Sequence, residues 1–157
     1  MQAGERIRVS LGAHPALAFQ TTHATVNGVP QSIITARRYL AGEVAPDYVL
    51  SEHVSVGAHY LYSHGLEDDA TRHNHFVAAR ASLSDLRLSD RYVARLNPQV
   101  YYLRIDDRDG VYLYLAVTLA RRGLPLALSA LVNQPVRTNV PGGKDFLWNV
   151  SLTYAIR

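Results

Sequence analysis

Apolar and polar residues alternate along the last stretch of the chain, over residues 145–157. Every second residue from Phe146 to Ile156 is apolar or aromatic, and the residues between them are mostly small and weakly polar. A period of two predicts an extended strand with two unlike faces. The apolar face has aromatic residues near both ends, and it is long enough to cross a bilayer, which takes about 9–11 tilted residues. This stretch therefore predicts a membrane-crossing strand.

The same alternation predicts seven further strands. They lie over about residues 6–20, 32–44, 53–64, 73–88, 92–105, 111–121 and 124–137. In the first of them the odd-numbered residues from Ile7 to Phe19 form the apolar face, which we expect to point outward. Pro15 predicts a bulge or a weakly paired position there, and a jump in the apolar register predicts a bulge near Ser84 and Asp85. The predicted fold class is all-β, an antiparallel up-and-down transmembrane β-barrel of about eight strands.

Turn residues separate these strands. Residues 21–30 contain Asn-Gly and are predicted to form a loop, and Ala45 to Asp47 is predicted to end the second strand. The connections after the fourth and sixth strands are short, and those after the first, third, fifth and seventh are longer and more polar. The second connection, residues 45–52, is the exception to this alternation. This alternation predicts short turns at one rim of the barrel and longer loops at the other.

The composition fits a single domain spanning residues 1–157. The chain has no cysteine, so disulfides and thiolate metal sites are excluded, and it has no apolar run of about 18 residues that would predict a transmembrane helix. Its net charge is +3, and Lys144 is the only lysine. The first residues are polar and predict no signal peptide, so an exported chain is expected to be a mature or truncated form.

The last strand resembles the closing strand of bacterial outer-membrane β-barrel proteins. Ile156 stands where that family usually has an aromatic residue, and Arg157 follows it; the matching positions are Trp148, Val150, Leu152 and Tyr154. From Val54 onward the chain is similar, more loosely, to the final hairpins of barrels from Bacteroidetes-type bacteria. The resemblance implies a place in the bacterial outer membrane, contact with a lipid bilayer or detergent, and recognition by the barrel assembly machinery. It implies a structural or porin-like transport role without catalysis or a cofactor.

The first and last strands are the best patterned, so we expect them to pair with each other and close the barrel. The alternative is that the chain forms the C-terminal part of a larger barrel. The first and last strands would then not pair with each other, and each would have a long, exposed edge.

The polar faces of the predicted strands point into the barrel on this interpretation. An eight-stranded barrel has room for packed side chains, so we expect a plug of hydrogen bonds and ion pairs; in a wider barrel the same residues predict a basic pore wall that prefers anions. The predicted lumen-facing polar residues are Arg8, His14, Arg37, Glu43, His59, Arg80, Arg95, Asn97, Gln99 and Asn149.

Two clusters have residue types that bind metals. His73 and His75 share a face in an extended strand and could jointly ligate Zn²⁺ or Cu²⁺, but nothing in the pattern fixes ligand geometry, so a solvated polar loop is the expectation. The acidic residues before Gly110 lack the full spacing of a Ca²⁺ loop and predict a hairpin turn. No metal site is therefore predicted.

Two other functional classes are alternatives. A soluble lipocalin-like barrel would bind a small ligand and stay in solution without detergent. A lipid-modifying hydrolase on the barrel wall would use Ser63, His64 and Glu67, but neighbouring residues in a strand point to opposite faces, which disfavours a Ser63–His64 dyad. The basic residues occur in strands that also have an apolar face, which is not the pattern of a nucleic-acid-binding surface, so nucleic-acid binding is not predicted.

Overall fold

The computed structural model describes residues 6–26, 28–68 and 70–154, and these residues form one antiparallel sheet. Its eight strands are β1 (Ile7–Val26), β2 (Val29–Val49), β3 (Val54–Gly65), β4 (His73–Arg87), β5 (Tyr92–Ile105), β6 (Arg108–Arg121), β7 (Leu126–Thr138) and β8 (Leu147–Tyr154). Among the described residues, no helix is long and apolar enough to cross a membrane.

Each strand pairs with the next one along the chain, in the order β1 to β8. The prediction of an all-β, antiparallel, up-and-down arrangement of eight strands is confirmed. The prediction that β1 pairs with β8 is wrong: over the described residues the sheet is open, and these two strands are its edges. β8 forms only the ladder to β7, from Asn133–Leu147 to Leu126–Tyr154.

The first hairpin is longer than the sequence predicted. The expected loop over residues 21–30 is strand up to Val26 and again from Val29, and the register is continuous from Ile7–Tyr48 to Val26–Val29. β2 pairs with β3 only from Tyr39 onward, so the distal half of the hairpin extends beyond the sheet as a two-stranded arm. Threonines on β1 favour this extended backbone, because β-branched side chains suit strands.

Two prolines lie in the first hairpin without interrupting it. Of the two outcomes predicted at Pro15, a bulge or a weakly paired position, the bulge is absent, since the register between β1 and β2 is continuous there. Val49 donates to the Arg6 carbonyl, so by alternation the nitrogen of Pro15 faces the open edge and no ladder bond is lost. β2 also continues through Pro46, where the sequence predicted its end. β2 and β3 are not paired between Val44 and Asp47, so no ladder hydrogen bond is lost because Pro46 has no N–H group.

The register shifts at two places in the sheet. One shift lies between Leu83 and Leu86, as predicted, and Asp85 has a φ of 53° there. The other is on β7, where Val136 is an extra residue between the partners of Val111 and Tyr112, and no residue pattern predicted it. Beyond the first shift Leu86 returns to the face that Leu83 occupies, whereas the second shift places Arg137 opposite Val111.

The connections differ from the expected alternation of length. One rim has residues 50–53, 88–91 and 122–125 as its connections, and we call it the short rim. The other has the connections from Val26 to Val29 and from Gly65 to His73, the tight turn at 106–107 and residues 139–146, and we call it the loop rim. Long loops were expected after the first and fifth strands because the residues there are polar, but most of those residues lie in strands instead.

The described residues bury almost no apolar core. Among the described residues, the buried apolar side chains are five alanines, Tyr112 and Val140. The accessible surface is 11251 Å², whereas a compact chain of this mass is expected to expose about 7,900 Å². Most of the apolar surface of the sheet is therefore exposed over the described residues.

Candidate functional site: the two faces of the sheet

One face of the sheet is apolar and exposed, and we call it the outer face. On β1 it contains Ile7, Val9 and Leu11, whose side chains are 60%, 58% and 79% exposed. The odd-numbered residues of β1 are thus not enclosed in an interior. The ladders place a row of apolar residues on this face of every later strand, such as Leu115 between Pro98 and Val132.

Charged side chains on the outer face lie where strands end or leave their neighbours. Outside the bulge at residues 84–85, the charged outer-face residues of the described strands are Arg38, Arg104, Asp109, Arg121 and Arg137. The middle of the face carries none, which is the distribution that a hydrocarbon layer requires.

Aromatic residues mark both rims of the outer face. At the short rim they are Tyr48, Tyr92 and Tyr154, and at the loop rim they are Tyr62, Tyr102 and Trp148. Tyr92 and Tyr102 bound the apolar row of β5, and ten residues of strand extend roughly 33 Å. With a tilt of about 40°, that length spans a height of about 25 Å, the thickness of the apolar band in membrane barrels.

The opposite, inner face collects polar side chains. The ladders place all ten predicted lumen-facing residues on this one face: Arg8, His14, Arg37, Glu43, His59, Arg80, Arg95, Asn97, Gln99 and Asn149. Several bond across strands. His59 Nε2 lies 2.9 Å from Glu43 Oε2, and Arg80 donates to both carboxylate oxygens of Asp47 at 3.2 and 2.7 Å.

A cleft of about 380 Å³ lies on the inner face near the short rim. Its walls include Arg8, the Asp47–Arg80 pair, Asn97 and Gln99. Asp47 was predicted to end β2 and was not expected on this face. Its carboxylate, which helps to balance the positive charge of the inner arginines, was therefore not among the predicted residues.

Four rings form a ladder across β3 to β6 on the inner face. The ring centroids of His59 and Phe76 are 5.4 Å apart, those of Phe76 and Tyr101 are 5.2 Å apart, and those of Tyr101 and Tyr112 are 4.8 Å apart. Tyr101 and Tyr112 are directly opposite and nearly parallel, with 12° between their planes. Because these rings cover one another, they stabilise the inner face by packing and leave little aromatic surface for a ligand.

Tyr112 anchors the loop-rim end of this ladder. It is the only large side chain among the buried apolar residues of the described chain, and its hydroxyl lies 2.8 Å from Thr138 Oγ1. A methyl group at Gly110 would collide with the Tyr112 ring and Thr138, and one at Gly143 would meet the Tyr112 hydroxyl. Glycines on both sides therefore make room for the tyrosine, a requirement that the sequence pattern did not reveal.

A histidine and tyrosine cluster lies on the outer face at the loop rim. The hydroxyl of Tyr62 is 2.8 Å from His73 Nδ1, and that of Tyr60 is 3.0 Å from His75 Nδ1. His64 faces His73 across the β3–β4 ladder. The two predicted candidates His73 and His75 thus share a face, as expected, but each is held by a tyrosine. The described residues contain no group of three or more metal-binding side chains placed to hold one ion.

The residues considered for hydrolase chemistry do not meet. Ser63 lies on the inner face, where its hydroxyl accepts a hydrogen bond from Asn74 at 3.1 Å, while His64 lies on the outer face. Glu67 accepts from both the side chain and the backbone N–H of Arg38, at 2.6 and 2.9 Å. These two bonds, the side-chain bond most of all, hold the pKa of Glu67 below its ordinary value.

Asp106 and Asp107 form the predicted hairpin turn, whereas Asp109 lies in β6, opposite Arg104. Asp106 has a φ of 50°, and its carboxylate accepts from the backbone N–H groups of Arg72 and His73 at 3.3 and 2.7 Å. This carboxylate therefore links the β5–β6 turn to the start of β4, which is a structural role.

Comparison of the chain with protein-family models, with curated proteins and with solved structures finds no match.

Proposed function

We propose that this chain forms the wall of a transmembrane β-barrel in a bacterial outer membrane, with a structural or pore role. The observation that carries the proposal is the exposed apolar outer face, which has aromatic residues at both rims and no charge in its middle. Lipid would cover this face, and the barrel assembly machinery would insert the chain, with detergent as a substitute for lipid in solution. An apolar surface of this extent needs such a cover, because the described residues bury almost no apolar core of their own.

The inner face supports a water-filled or polar lumen. Four of its arginines, Arg8, Arg37, Arg80 and Arg95, lie on the same face as Glu43 and Asp47. A lumen lined in this way would prefer anions. A soluble lipocalin-like barrel is the alternative, but it needs an apolar interior and a charged exterior, and the two faces of this sheet have the opposite character.

The open edges set a condition on the proposal. β1 and β8 each expose one side of their backbone, and in hydrocarbon an unpaired N–H or C=O costs several kcal/mol. Further antiparallel strands would therefore have to pair with both edges before the wall is complete in a membrane.

The single tryptophan of the chain gives a direct test. Trp148 lies on the outer face of β8, and Asn149 lies on the inner face beside it. The chain is refolded into vesicles whose lipids carry bromine on their acyl chains, which quench indole fluorescence on contact. We expect strong quenching of Trp148. In the matched control, Trp148→Phe combined with Asn149→Trp, the indole faces the lumen and should be quenched mainly by aqueous iodide.

The proposal fails if Trp148 is quenched by iodide and is indifferent to brominated lipid. It also fails if the chain remains in solution as a monomer without detergent, as a lipocalin-like protein would.

A further inference from the structure

The last residue pair of the β3–β4 ladder before the loop rim consists of two histidines. His64 and His73 are direct cross-strand partners on the outer face. Gly65 donates to the Arg72 carbonyl at 3.2 Å, so Gly65 and Arg72 form a hydrogen-bonded pair. Since hydrogen-bonded and non-hydrogen-bonded pairs alternate, His64 and His73 form a non-hydrogen-bonded pair, the kind in which side chains lie closest, with Cα atoms about 4.5 Å apart.

The two imidazole rings have the spacing of a chelating pair. Their centroids are 5.3 Å apart, with 49° between their planes. Metal–nitrogen bonds to histidine are about 2.0–2.1 Å long, so two imidazoles on one tetrahedral ion have ring centres roughly 5 Å apart. The observed separation therefore needs little rearrangement for both rings to reach one ion.

Tyr62 positions one of these rings. Its hydroxyl lies 2.8 Å from His73 Nδ1. When that nitrogen carries the proton and donates it to the tyrosine oxygen, the lone pair of His73 Nε2 is available to a metal ion. A hydrogen bond to the non-ligating nitrogen is the usual way in which proteins orient a metal-binding histidine.

His75 is less suited to share an ion with His73. The ring of Tyr62 contacts both, with centroids 6.0 Å from His73 and 5.1 Å from His75. The hydroxyl of Tyr60 holds His75 separately. The cross-strand pair, rather than the two histidines that are neighbours on β4, has the geometry of a chelate.

We propose that His64 and His73 form a two-point binding site for a divalent transition-metal ion at the loop rim, with water completing the coordination. Neutral imidazole suits Cu²⁺, Ni²⁺ and Zn²⁺, and for the same nitrogen ligands Cu²⁺ binds most tightly. The site lies on the outer face beside the connection of residues 66–72, so an ion can reach it from the aqueous side of the rim.

Calorimetric titration of CuCl₂ into the folded, tag-free chain in a non-chelating detergent buffer tests the site. We expect one Cu²⁺ site of micromolar affinity and a weaker response to Zn²⁺. His64→Ala and His73→Ala should each weaken binding by about a hundredfold, because the advantage of simultaneous attachment is lost, and the double variant should be little weaker than either. His75→Ala is the matched control and should keep the affinity of the unchanged chain.

A spectroscopic measurement on the unchanged chain makes the outcome independent of whether the variants fold. Electron paramagnetic resonance of the Cu²⁺ complex should show two coordinated imidazole nitrogens. A single imidazole, unchanged affinity in His64→Ala, or an equal loss in His75→Ala and His73→Ala would each overturn the proposal, the last in favour of the His73–His75 pair.

Discussion

Asp47 on β2 and Arg80 on β4 form an ion pair that passes over Gly57, the residue that lies between them on β3. Asp47 pairs with Gly57 on one side and Arg80 pairs with it on the other. The two charged residues are thus two strand spacings apart, roughly 10 Å, and their side chains meet above the glycine. A methyl group at Gly57 would collide with the Asp47 carboxylate. The glycine therefore keeps open the path by which two non-neighbouring strands are joined.

Substitution of Gly57 should break this connection. Gly57→Ala is expected to destabilise the folded chain by about 1–3 kcal/mol, because the new methyl group displaces the carboxylate and crowds the backbone. Denaturant unfolding in detergent measures the change. Gly42→Ala, on the outer face of β2 and with no close contact at an added methyl group, is the matched control and should cost less.

A double-mutant cycle should show how much the ion pair itself contributes. Asp47→Asn and Arg80→Gln are expected to couple by about 1 kcal/mol, a modest value because both side chains are about one third exposed and solvent screens the pair. The coupling should fall as salt is added. Additive effects of the two substitutions at low salt would mean that the pair contributes nothing to stability.

The outer face should reject charge at its middle. Leu115→Arg is expected to destabilise the sheet in a bilayer by about 2–4 kcal/mol, the cost of an arginine at the midplane of a membrane barrel. Leu131→Arg is the matched control, because Leu131 lies on the inner face, opposite Ala116. Folding yield in lipid vesicles measures both. If the two variants fold equally well, the outer face does not meet hydrocarbon.

The base of the arm should loosen in acid. The pKa of Glu67 is lowered by the side-chain and backbone donors of Arg38, so the charged carboxylate favours the folded arrangement. This contribution is complete above the ordinary carboxyl pKa and is lost as the pH falls through the lowered pKa of the folded state. The Arg38 amide shift in NMR should follow that titration, and Glu67→Gln should remove it. A midpoint at or above the ordinary carboxyl value would contradict the lowered pKa.

Disulfide trapping can show which strands are neighbours, because the chain has no cysteine of its own. Ser129 and Ser151 are direct partners on β7 and β8, so cysteines at these positions should oxidise to an intramolecular bond. Cysteine at Ser151 combined with cysteine at Arg8, Ser10 or Gly12 should form no bond within one chain, since β1 and β8 are separate edges. An efficient bond within one chain would show that the barrel closes on itself.

Alternation along the strands was enough to predict most of the fold. The bounds of β5 were predicted without error and those of β3 and β4 to within a residue, because the apolar positions of each strand repeat with a period of two over most of its length. The bulge at Asp85 was also predictable, because it shifts the apolar register. The alternation predicts which residues of a strand share a face, and the ladders group the residues on both faces as predicted.

The misassigned parts have local causes. Residues 21–30 looked like a loop because of Asn27 and Gly28, yet a two-residue turn with long strands on both sides carries the same signal. Pro46 was interpreted as the end of a strand, but a proline is tolerated where its strand is not paired with the neighbouring strand. In both places the outcome depends on which partner strand is present, and one strand's sequence does not contain that information.

Contacts between strands were largely beyond the reach of the sequence. The His64–His73 pair depends on the register of β4 against β3, and the diagonal contact of His59 with Phe76 depends on the same register. The Asp47–Arg80 pair further depends on a glycine in a third strand. Such relationships become visible only when the ladders are known, because many registers satisfy the same alternation of faces.

The antiparallel order of the sheet restricts how its two edges can be joined. Successive strands run in opposite directions, and with eight of them β1 and β8 point opposite ways. Further strands could join β8 to β1 through antiparallel ladders. The first of them, beside β8, must run in the direction of β1, and the last, beside β1, must run in the direction of β8. The number of these strands must therefore be even, whichever molecule they belong to. An odd number would force one parallel seam into the ring.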